Sequence, residues 1–373
     1  MNRTSLRRIA APSVAALALG LSLTACGAAN ESASTSSGSD STDSAAADLS
    51  GDLSGAGSSA QEKAQEAWAT GFQGTNSGVT VNYDPVGSGD GRKQFIAKGV
   101  SFAGSDSYLS DDEGELSAAK KRCGGQDPIE VPAYVSPIAV IYNLDGVEDL
   151  QLSAKTIAEI FDNKITTWDD AAIKAENPDA TLPSTAITPV HRSDDSGTTK
   201  NFTDYLNKAS GAWKYDAADA FPTKGEAAEG TSGVVSAVSG GKGTIGYADE
   251  SQAGDLGKAS IKVGSGYVAP EAAAAAKAAE VSKRVAGRAA NDLATDVDRT
   301  TTESGAYPLV LVSYFIACPT YDDAKTADLV KGYASYVLSS EGQQAAAKSA
   351  GSSPLPSSLS NDGGKAVQAV SAK

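Results

Sequence analysis

Short apolar runs rich in β-branched residues alternate with segments of helical spacing along most of this chain. The runs are typical of buried strands and cover residues 79–83, 134–143, 187–192 and 307–318. Between them, apolar residues recur at helical spacing, as at Ile157, Ile160, Phe161, Phe202, Tyr205 and Leu206. Strands and helices in repeated alternation predict an α/β fold.

Two alanine-rich stretches also favour helices, because alanine is the best helix former and charged residues flank both. The first extends from Pro270 to Arg288, with its alanine run at 270–280, and the second lies at 345–350. We expect both runs to form surface helices. At 373 residues the chain is long enough for two domains with separate cores, and 21% charged residues argue against a fibrous or disordered chain.

The first 25 residues have the features of an export signal. A basic start with Arg3, Arg7 and Arg8 is followed by a short apolar stretch and by small residues before Cys26. The apolar stretch is interrupted by Pro12, Ser13, Gly20, Ser22 and Thr24, and it is barely long enough to remain in a bilayer as a permanent anchor. We therefore predict a signal peptide over residues 1–25.

The residues Leu23-Thr24-Ala25-Cys26 resemble the bacterial lipobox, in which the cysteine is acylated, with palmitate as an expected chain, and becomes the mature N-terminus. Ordinary secretion without modification of Cys26 is the alternative. Small and polar residues fill positions 26–49, with no large apolar residue before Leu49. Such a composition cannot offset the entropy of folding, so we expect a flexible tether.

The charge of the chain restricts its partners. The formal net charge is −15, and removal of a signal that carries three arginines and no acidic residue takes it to −18. A protein that binds nucleic acid through its phosphates needs a basic stripe, and none is visible. Any anion that this protein binds must therefore be held by local groups.

Two cysteines remain once Cys26 is acylated. An exported location permits a disulfide between Cys123 and Cys318, although two free thiols are also compatible with the sequence. The two cysteines lie 195 residues apart. In the chain-entropy model, closing such a loop stabilises the fold by roughly 5 kcal/mol.

Three Gly/Ser-rich turns, at 55–60, 87–91 and 194–198, follow extended chain and open a helix. Such a turn lets the backbone approach a ligand and directs free N–H groups and the positive end of the helix dipole at it. A single turn of this kind usually serves only as a helix cap. The hydroxyls of the three turns add further donors: Ser59, Ser88, Ser196 and Thr198.

Arg192 lies four residues before Ser196, at the end of a predicted strand. A guanidinium beside a helix-opening turn suits bidentate binding of a tetrahedral oxyanion. The alternative is an ion pair of Arg192 with Asp194 or Asp195 at the surface, and both arrangements can hold at once if the carboxylate orients the arginine.

These residues belong to an ordered set of motifs: GAGSS, VNYDPVGSGDG, VSFAGSDSYLS, ITTWDD, HRSDDSGTT, GTIGYAD and YPLVLVSYFI. The set spans about residues 52–355 and resembles the PstS family, the substrate-binding lipoproteins of phosphate ABC transporters. The resemblance implies a two-lobed, periplasmic-binding-protein-like (type II) α/β fold with a hinge and a ligand cleft between the lobes. It implies that lobe 1 comprises 50–134 and 308–373, and lobe 2 comprises 135–307.

The resemblance also implies the ligand-binding residues, with no metal and no other cofactor. The implied phosphate ligands are Ser59 through its hydroxyl and amide, Ala60 through its amide, Ser88, Asp106, Arg192, Ser196, Gly197 and Thr198. Asp194 would orient Arg192. Asp106 would accept a hydrogen bond from protonated phosphate and repel sulfate, which has no proton. The position of Asp106 in the sequence is also compatible with a helix or turn cap.

Two departures from the family pattern accompany this assignment. The residues Ser59-Ala60-Gln61 stand where Thr-Phe-Pro is often found, which removes an aromatic wall but keeps the backbone N–H. Asp195 stands where glycine is common and adds a negative charge next to the proposed anion. We expect its side chain to point to solvent.

The function implied is high-affinity binding of inorganic phosphate at the outer face of the cell membrane and its delivery to the permease and ATPase subunits of an ABC importer. A sensing or adhesive lipoprotein is an alternative. A phosphatase would need Ser196 or Ser88 as nucleophile and His191, the single histidine, as base. His191 precedes Arg192 in a strand and should face the opposite side, and no G-x-S-x-G surrounds Ser196.

We therefore predict no enzymatic activity. One histidine and two distant cysteines offer no cluster with metal-ligand spacing. The acidic groups at 111–113, which include Asp111, Asp112 and Glu113, and at Asp169 and Asp170 are expected to be solvated helix starts.

Overall fold

The computed structural model describes residues 49–112 and 114–373. The predicted signal peptide, Cys26, the tether up to residue 48 and Glu113 lie outside these residues. Within them, the strands are β1 (Ser50–Gly57), β2 (Gly78–Asp84), β3 (Phe102–Ser105), β4 (Ile129–Asn143), β5 (Gln151–Leu152), β6 (Thr188–Arg192), β7 (Glu226–Ala228), β8 (Thr244–Asp249), β9 (Gly257–Lys258), β10 (Ser260–Val263), β11 (Gly266–Val268), β12 (Lys283–Arg284), β13 (Thr295–Asp296), β14 (Val310–Ala317), β15 (Thr320–Tyr321) and β16 (Ser371–Ala372).

The helices of the same residues connect most of these strands. They are α1 (Glu62–Thr75), α2 (Ser88–Ile96), α3 (Glu115–Arg122), α4 (Ala154–Phe161), α5 (Ala171–Glu176), α6 (Gly197–Ser210), α7 (Gly230–Gly240), α8 (Ala272–Glu280), α9 (Ala324–Leu338), α10 (Ser340–Ala350) and α11 (Ser357–Gln368), with a 3₁₀ turn at Glu250–Gln252. Within the described residues, no helix is both long and apolar enough to cross a bilayer.

One large mixed sheet runs through the fold in the order β2-β1-β3-β14-β4-β8-β6-β7, and β9 also pairs with β4. Its central strand, β4, has two sets of partners. The part up to Pro137 pairs with β14, and the part from Ile138 pairs with β8. The long apolar strand therefore passes continuously from one part of the molecule to the other.

The hydrophobic core consists of separate clusters on the two sides of the point where β4 changes its pairing partner. A first cluster packs around β1, β3 and β14 and includes Trp68, Phe102 and Tyr333. A second cluster, which includes Phe161 and Phe202, packs around α4, α6 and β8, with a small third cluster on the opposite face of β6 and β8. We call the elements around the first cluster (β1–β3, α1–α3, α8–α11 and β14–β16) the first half, and those around the other two (α4–α7 and β5–β11) the second half.

The four apolar runs form β2, β4, β6 and β14, as predicted. The alanine run at 345–350 lies in α10. The prediction for the first alanine-rich stretch was partly wrong, because α8 ends at Glu280 and Lys283–Arg284 pair with β13 instead. The helix is also half-buried, since Ala275 and Ala278 join the first core. The lobe boundaries drawn from the resemblance remain a prediction.

Helix α2 packs against β1 through a close backbone contact. A Cβ at Gly91 would lie 2.3 Å from the Cα of Gly57. Gly57 has φ 144°, and a Cβ there would lie 1.9 Å from the carbonyl oxygen of Gly104. The helix can therefore approach the sheet to this distance only while these positions carry no side chain.

Cys123 and Cys318 form a disulfide in this structure, with Cα atoms 5.2 Å apart. It joins the end of α3 to the end of β14, so it links the two separate stretches of chain from which the first half is built. Arg122 donates a hydrogen bond of 2.6 Å from Nη1 to the Sγ of Cys318.

Candidate functional site

Four helix N-termini meet where the two halves face each other. Helices α1 and α2 belong to the first half, and the turn at 58–61 leads into α1. Helices α6 and α7 belong to the second half. Each N-terminus carries N–H groups that have no partner within the helix and roughly half a positive charge, so their meeting creates a location that favours an anion.

Asp106 follows β3 and is buried in this region. Its Oδ1 accepts hydrogen bonds from the hydroxyls of Ser58 at 2.6 Å and Ser313 at 2.7 Å. Its Oδ2 accepts from Thr198 Oγ1 at 2.9 Å. Among the ion pairs of the described residues, none includes Asp106, so neutral hydroxyls from both halves stabilise its charge.

The backbone of Asp106 is held from both sides as well. Its N–H donates to Ser88 Oγ at 3.1 Å, and its carbonyl accepts from Asn201 Nδ2 at 2.6 Å. A Cβ at Gly197 would lie 2.6 Å from Ser88 Oγ and 2.9 Å from the Cβ of Asp106. Only a glycine lets the start of α6 approach α2 this closely, so Ser88, Asp106, Gly197 and Thr198 are brought together.

Arg192 ends β6 and is buried, and it pairs with the partly buried Asp194. Its Nε donates to Asp194 Oδ1 at 2.7 Å, and its Nη2 donates to Oδ2. The Gly230 N–H, at the start of α7, donates to the same Oδ1 at 3.0 Å. Burial raises the pKa of Asp194, but the hydrogen bonds and charge of Arg192 outweigh burial and lower the pKa overall. The pairing of Arg192 with Asp194 fixes the guanidinium at the edge of this region.

The remaining predicted ligands make bonds within the protein. Ser59 Oγ lies 3.0 Å from Thr231 Oγ1 and accepts from the Thr231 N–H at 3.1 Å. The Ala60 N–H donates to Ser58 Oγ at 3.1 Å. Ser196 caps α6, and its Oγ accepts from the Thr199 N–H at 3.2 Å. These groups therefore lie at the helix N-termini where they were expected.

Three residues that contact this region did not enter the sequence prediction. Ser58 lies in the same turn as Ser59, and it is the one that reaches Asp106. Thr231 belongs to a Gly-Thr-Ser-Gly turn that opens α7, which repeats the design of the three predicted turns. Ser313 had no such signal, because it reaches Asp106 through the antiparallel pairing of β14 with β3, in which Tyr314 lies opposite Ser105.

Asp195 pairs with Lys93 Nζ at the rim, and its side chain is 42% exposed. Its carbonyl accepts from the Gly89 N–H at 2.9 Å. The expectation that this side chain points to solvent holds in part, because the carboxylate is half-exposed but paired. The extra negative charge beside the site is thus offset by a lysine from the first half.

A cavity of about 370 Å³ opens beside Asp106. Asp106 is the predicted phosphate ligand that lines it. Arg92, Asn201, Asp219 and Tyr314 lie around the same space.

His191 is placed for packing within the second half. Its ring stacks on Phe221 with centroids 4.6 Å apart, and its Nδ1 lies 2.9 Å from the carbonyl oxygen of Arg192. Asp170 caps α5 by accepting from the Ala172 N–H at 2.8 Å, as expected of a helix start. In the part of the chain that the structure describes, no group of three or more His, Cys, Asp or Glu side chains is arranged to hold a metal ion.

The chain matches the family described as PBP superfamily domain over residues 33–341. The phosphate-binding protein PstS 3 of Mycobacterium tuberculosis (strain ATCC 25618 / H37Rv) is 38% identical over 268 residues, covering 70% of this chain and 72% of that protein. PstS 2 of the same strain is 36% identical over 304 residues, covering 79% and 80%.

A solved structure shares the fold. That of a high-affinity periplasmic phosphate-binding protein, PfluDING, bound with phosphate, has a TM-score of 0.69 and 24% sequence identity, covering 83% of this chain and 92% of the other. The two-lobed periplasmic-binding fold and the extent of these matches agree, and the chain belongs to the PstS family of phosphate ABC transporter substrate-binding proteins within the PBP superfamily.

Proposed function

We propose that this protein binds inorganic phosphate with high affinity between its two halves and delivers it to an ABC permease. The observation that carries the proposal is the position of Asp106. A single buried carboxylate stands among hydroxyls and helix N-termini contributed by both halves. A hydrogen-bond acceptor surrounded by hydrogen-bond donors suits an anion that still carries a proton, because the protonated oxygen can donate to the carboxylate.

The local charges support an anion even though the whole chain is acidic. Arg192 is paired with Asp194, and the four helix N-termini add about half a positive charge each. Together they offset most of the charge of about −3 that Asp106 and a phosphate of about −2 would bring to the site. Long-range repulsion from the acidic surface is screened beyond about 8 Å at physiological salt.

The proposed ligands are Ser59, Ala60, Ser88, Asp106, Arg192, Ser196, Gly197 and Thr198, with Asp194 holding Arg192. The hydroxyls that now donate to Asp106 can rotate, because each has one proton and two lone pairs. When phosphate enters, a hydroxyl such as that of Thr198 turns its proton to a phosphate oxygen, and the phosphate O–H donates to Asp106 in its place. Sulfate lacks that proton and would leave the buried carboxylate facing an anion.

We also propose that the protein is exported and anchored through lipidated Cys26, and that it performs no enzymatic turnover. PfluDING, which shares the fold, is described as periplasmic. The disulfide between Cys123 and Cys318 suits an oxidising compartment. Its relatives in the PstS family are named as phosphate-binding proteins.

Calorimetric titration tests the proposal. The purified protein is unfolded and refolded to remove bound ligand, then titrated near neutral pH with phosphate and, separately, with sulfate. We expect tight binding of phosphate and no heat from sulfate. Absence of phosphate binding would refute the proposed function.

Asp106→Asn sharpens this test. We expect it to weaken phosphate binding and to improve sulfate binding at least about tenfold, since the carboxylate charge that repels sulfate is gone. The matched control is Asp328→Asn, an exposed carboxylate of α9 in the same half. Unchanged selectivity in the Asp106 variant would remove the discriminating role from this residue while leaving phosphate binding itself in place.

A further inference from the structure

Arg92 is a buried cation that the phosphate site does not use. It lies in α2, and its side chain is 2% exposed. Within the first half, its Nε donates to both oxygens of Glu115, at 3.1 and 2.9 Å. Its Nη1 donates to Ser105 Oγ at 3.1 Å and to Ser107 Oγ at 2.9 Å. These bonds fix the guanidinium on the first half.

The remaining nitrogen of Arg92 reaches the second half. Its Nη2 donates to Asp219 Oδ2 at 2.6 Å. Asp219 follows α6 in a segment whose aromatic residues, including Trp213, pack into the second core. The two charges therefore come from parts of the molecule that have separate hydrophobic cores, and both line the cavity beside Asp106.

Asp219 is also tied to the start of α6. Its carbonyl oxygen accepts a hydrogen bond from the Ser196 N–H at 3.1 Å. Ser196, Gly197 and Thr198 are proposed phosphate ligands that follow directly. A shift of Asp219 relative to Arg92 is therefore transmitted through one backbone bond to the residues that hold the anion.

A second ion pair, Lys93 with Asp195, also joins the halves, but its partners are 60% and 42% exposed. Solvent screens such a pair, and exposed pairs typically contribute little. The Arg92–Asp219 pair differs, because its side chains are only 2% and 17% exposed. Burial lowers the pKa of Arg92, yet the charges and hydrogen bonds of Asp219 and Glu115 outweigh burial and raise it, so the guanidinium remains charged.

We propose that Arg92 and Asp219 form a closing pair, an ion pair between the halves that keeps them together around bound phosphate and sets the rate at which phosphate leaves. The proposal rests on the proposed phosphate-binding function. Arg92 retains Glu115 when the halves separate, so of its own ion pairs Arg92 loses only the one with Asp219. The pair is thus placed to be broken and remade without leaving the cation unpaired.

Asp219→Asn tests the closing pair, because the side chain of Asp219 bonds to Arg92 alone among the described residues. We expect phosphate to dissociate at least about tenfold faster, with the association rate unchanged, because truncating one partner of a buried charge pair acts on dissociation. Stopped-flow tryptophan fluorescence, with Trp213 in the same segment, measures both rates. The matched control is Asp216→Asn, an exposed carboxylate three residues away, which should keep the wild-type rates.

Arg92→Met and the double variant with Asp219→Asn complete the cycle. Once Arg92 is replaced, we expect Asp219→Asn to change the dissociation rate less than twofold. A purely structural role would instead lower the melting temperature of the ligand-free and phosphate-loaded protein equally. If Arg92 and Asp219 form a closing pair, the melting temperature should fall more in the phosphate-loaded protein than in the ligand-free protein.

Small-angle scattering of the ligand-free protein keeps this result separate from the proposed function. We expect Asp219→Asn to increase the radius of gyration relative to wild type and to Asp216→Asn. If wild type does not bind phosphate, the proposed function fails and scattering alone decides whether the pair joins the halves. The closing pair would be overturned if the Asp219→Asn variant kept both the phosphate dissociation rate and the radius of gyration of wild type.

Discussion

The two halves of the molecule differ both in how they are built and in what they contribute to the site. The first half is assembled from two distant stretches of chain joined by the Cys123–Cys318 disulfide, and it contributes a carboxylate, Asp106. The second half contributes a guanidinium, Arg192, already paired with its own carboxylate. In the proposed phosphate site, one half thus supplies the acceptor that distinguishes anions, and the other supplies the cation that attracts all of them.

The largest expected effect concerns the construction of the first half. Replacing Cys123 and Cys318 together by alanine should lower the free energy of unfolding by roughly 5 kcal/mol, because the bond closes a loop of 195 residues. Urea unfolding with and without reductant measures it. Reductant should have no effect on the double variant. If reductant changed the unfolding free energy of the variant and of the wild type equally, the disulfide would not account for the difference in how the two halves are built.

The next effect concerns the cation of the second half. Arg192→Ala should lower stability by about 3–5 kcal/mol, because it leaves Asp194 buried without its partner. It should also weaken every oxyanion alike, in contrast to Asp106→Asn. Thermal unfolding and calorimetry with phosphate and sulfate measure the two consequences. In the matched double variant with Asp194→Asn, stability should largely recover while anion binding stays weak. Selective loss of phosphate alone would reverse the roles assigned to the halves.

The junction between the halves should respond to pH. Burial raises the pKa of Asp249 from 3.8 to about 7 against the opposing hydrogen bonds of Ser251 and Tyr134. The folded state then binds a proton that the unfolded state has released. The contribution to stability is full below pH 3.8 and is lost as pH rises to about 7.

Asp249→Asn should remove this pH dependence. Between pH 5 and pH 7, wild type should lose roughly 2 kcal/mol from this group, because the slope of about 1.4 kcal/mol per pH unit falls to half as the pH reaches the folded pKa. Denaturant unfolding at several pH values compares the two proteins. Asp255→Asn in the following loop is the control and should follow wild type. Parallel slopes for wild type and the Asp249 variant would show that this junction carboxyl does not titrate in the folded state over this range.

The smallest effects compare single hydroxyls from the two halves. Ser88→Ala removes one from the first half, and Thr198→Ala removes one from the second. Each should weaken phosphate binding by about 1 kcal/mol, since each loses one hydrogen bond. Thr198→Ser is the control and should retain most of the affinity. If neither alanine variant alters phosphate affinity in calorimetry, these hydroxyls serve only to hold Asp106.

Much of this arrangement was visible in the sequence because local rules determined it. The glycine and hydroxyl residues at 87–91 and 194–198 open helices for reasons of backbone geometry, which a sequence displays directly. The buried runs that became β4 and β14 were equally clear. The family motifs predict that Asp106 and Arg192 belong to one phosphate site, and this stays a prediction.

The remaining features depend on contacts between distant parts of the chain. Ser313 reaches Asp106 because β14 pairs with β3 in a register that sets Tyr314 opposite Ser105, and no local sequence pattern indicates that register. Alanine content predicted a helix up to Arg288, but the pairing of Lys283 and Arg284 with β13 ended it earlier. Arg92 resembles any surface cation in a helix until tertiary packing buries it against Asp219.

The contact between α2 and β1 has a consequence for engineering this scaffold as an anion sensor. Gly57, Gly91 and Gly104 approach so closely that a methyl group at either of the first two would collide with backbone. A mutational library built to change selectivity should therefore hold these glycines constant and vary the hydroxyls around Asp106. In a deep mutational scan, the glycines would mark positions where folding is lost, and the hydroxyls would mark positions where only the preferred anion changes.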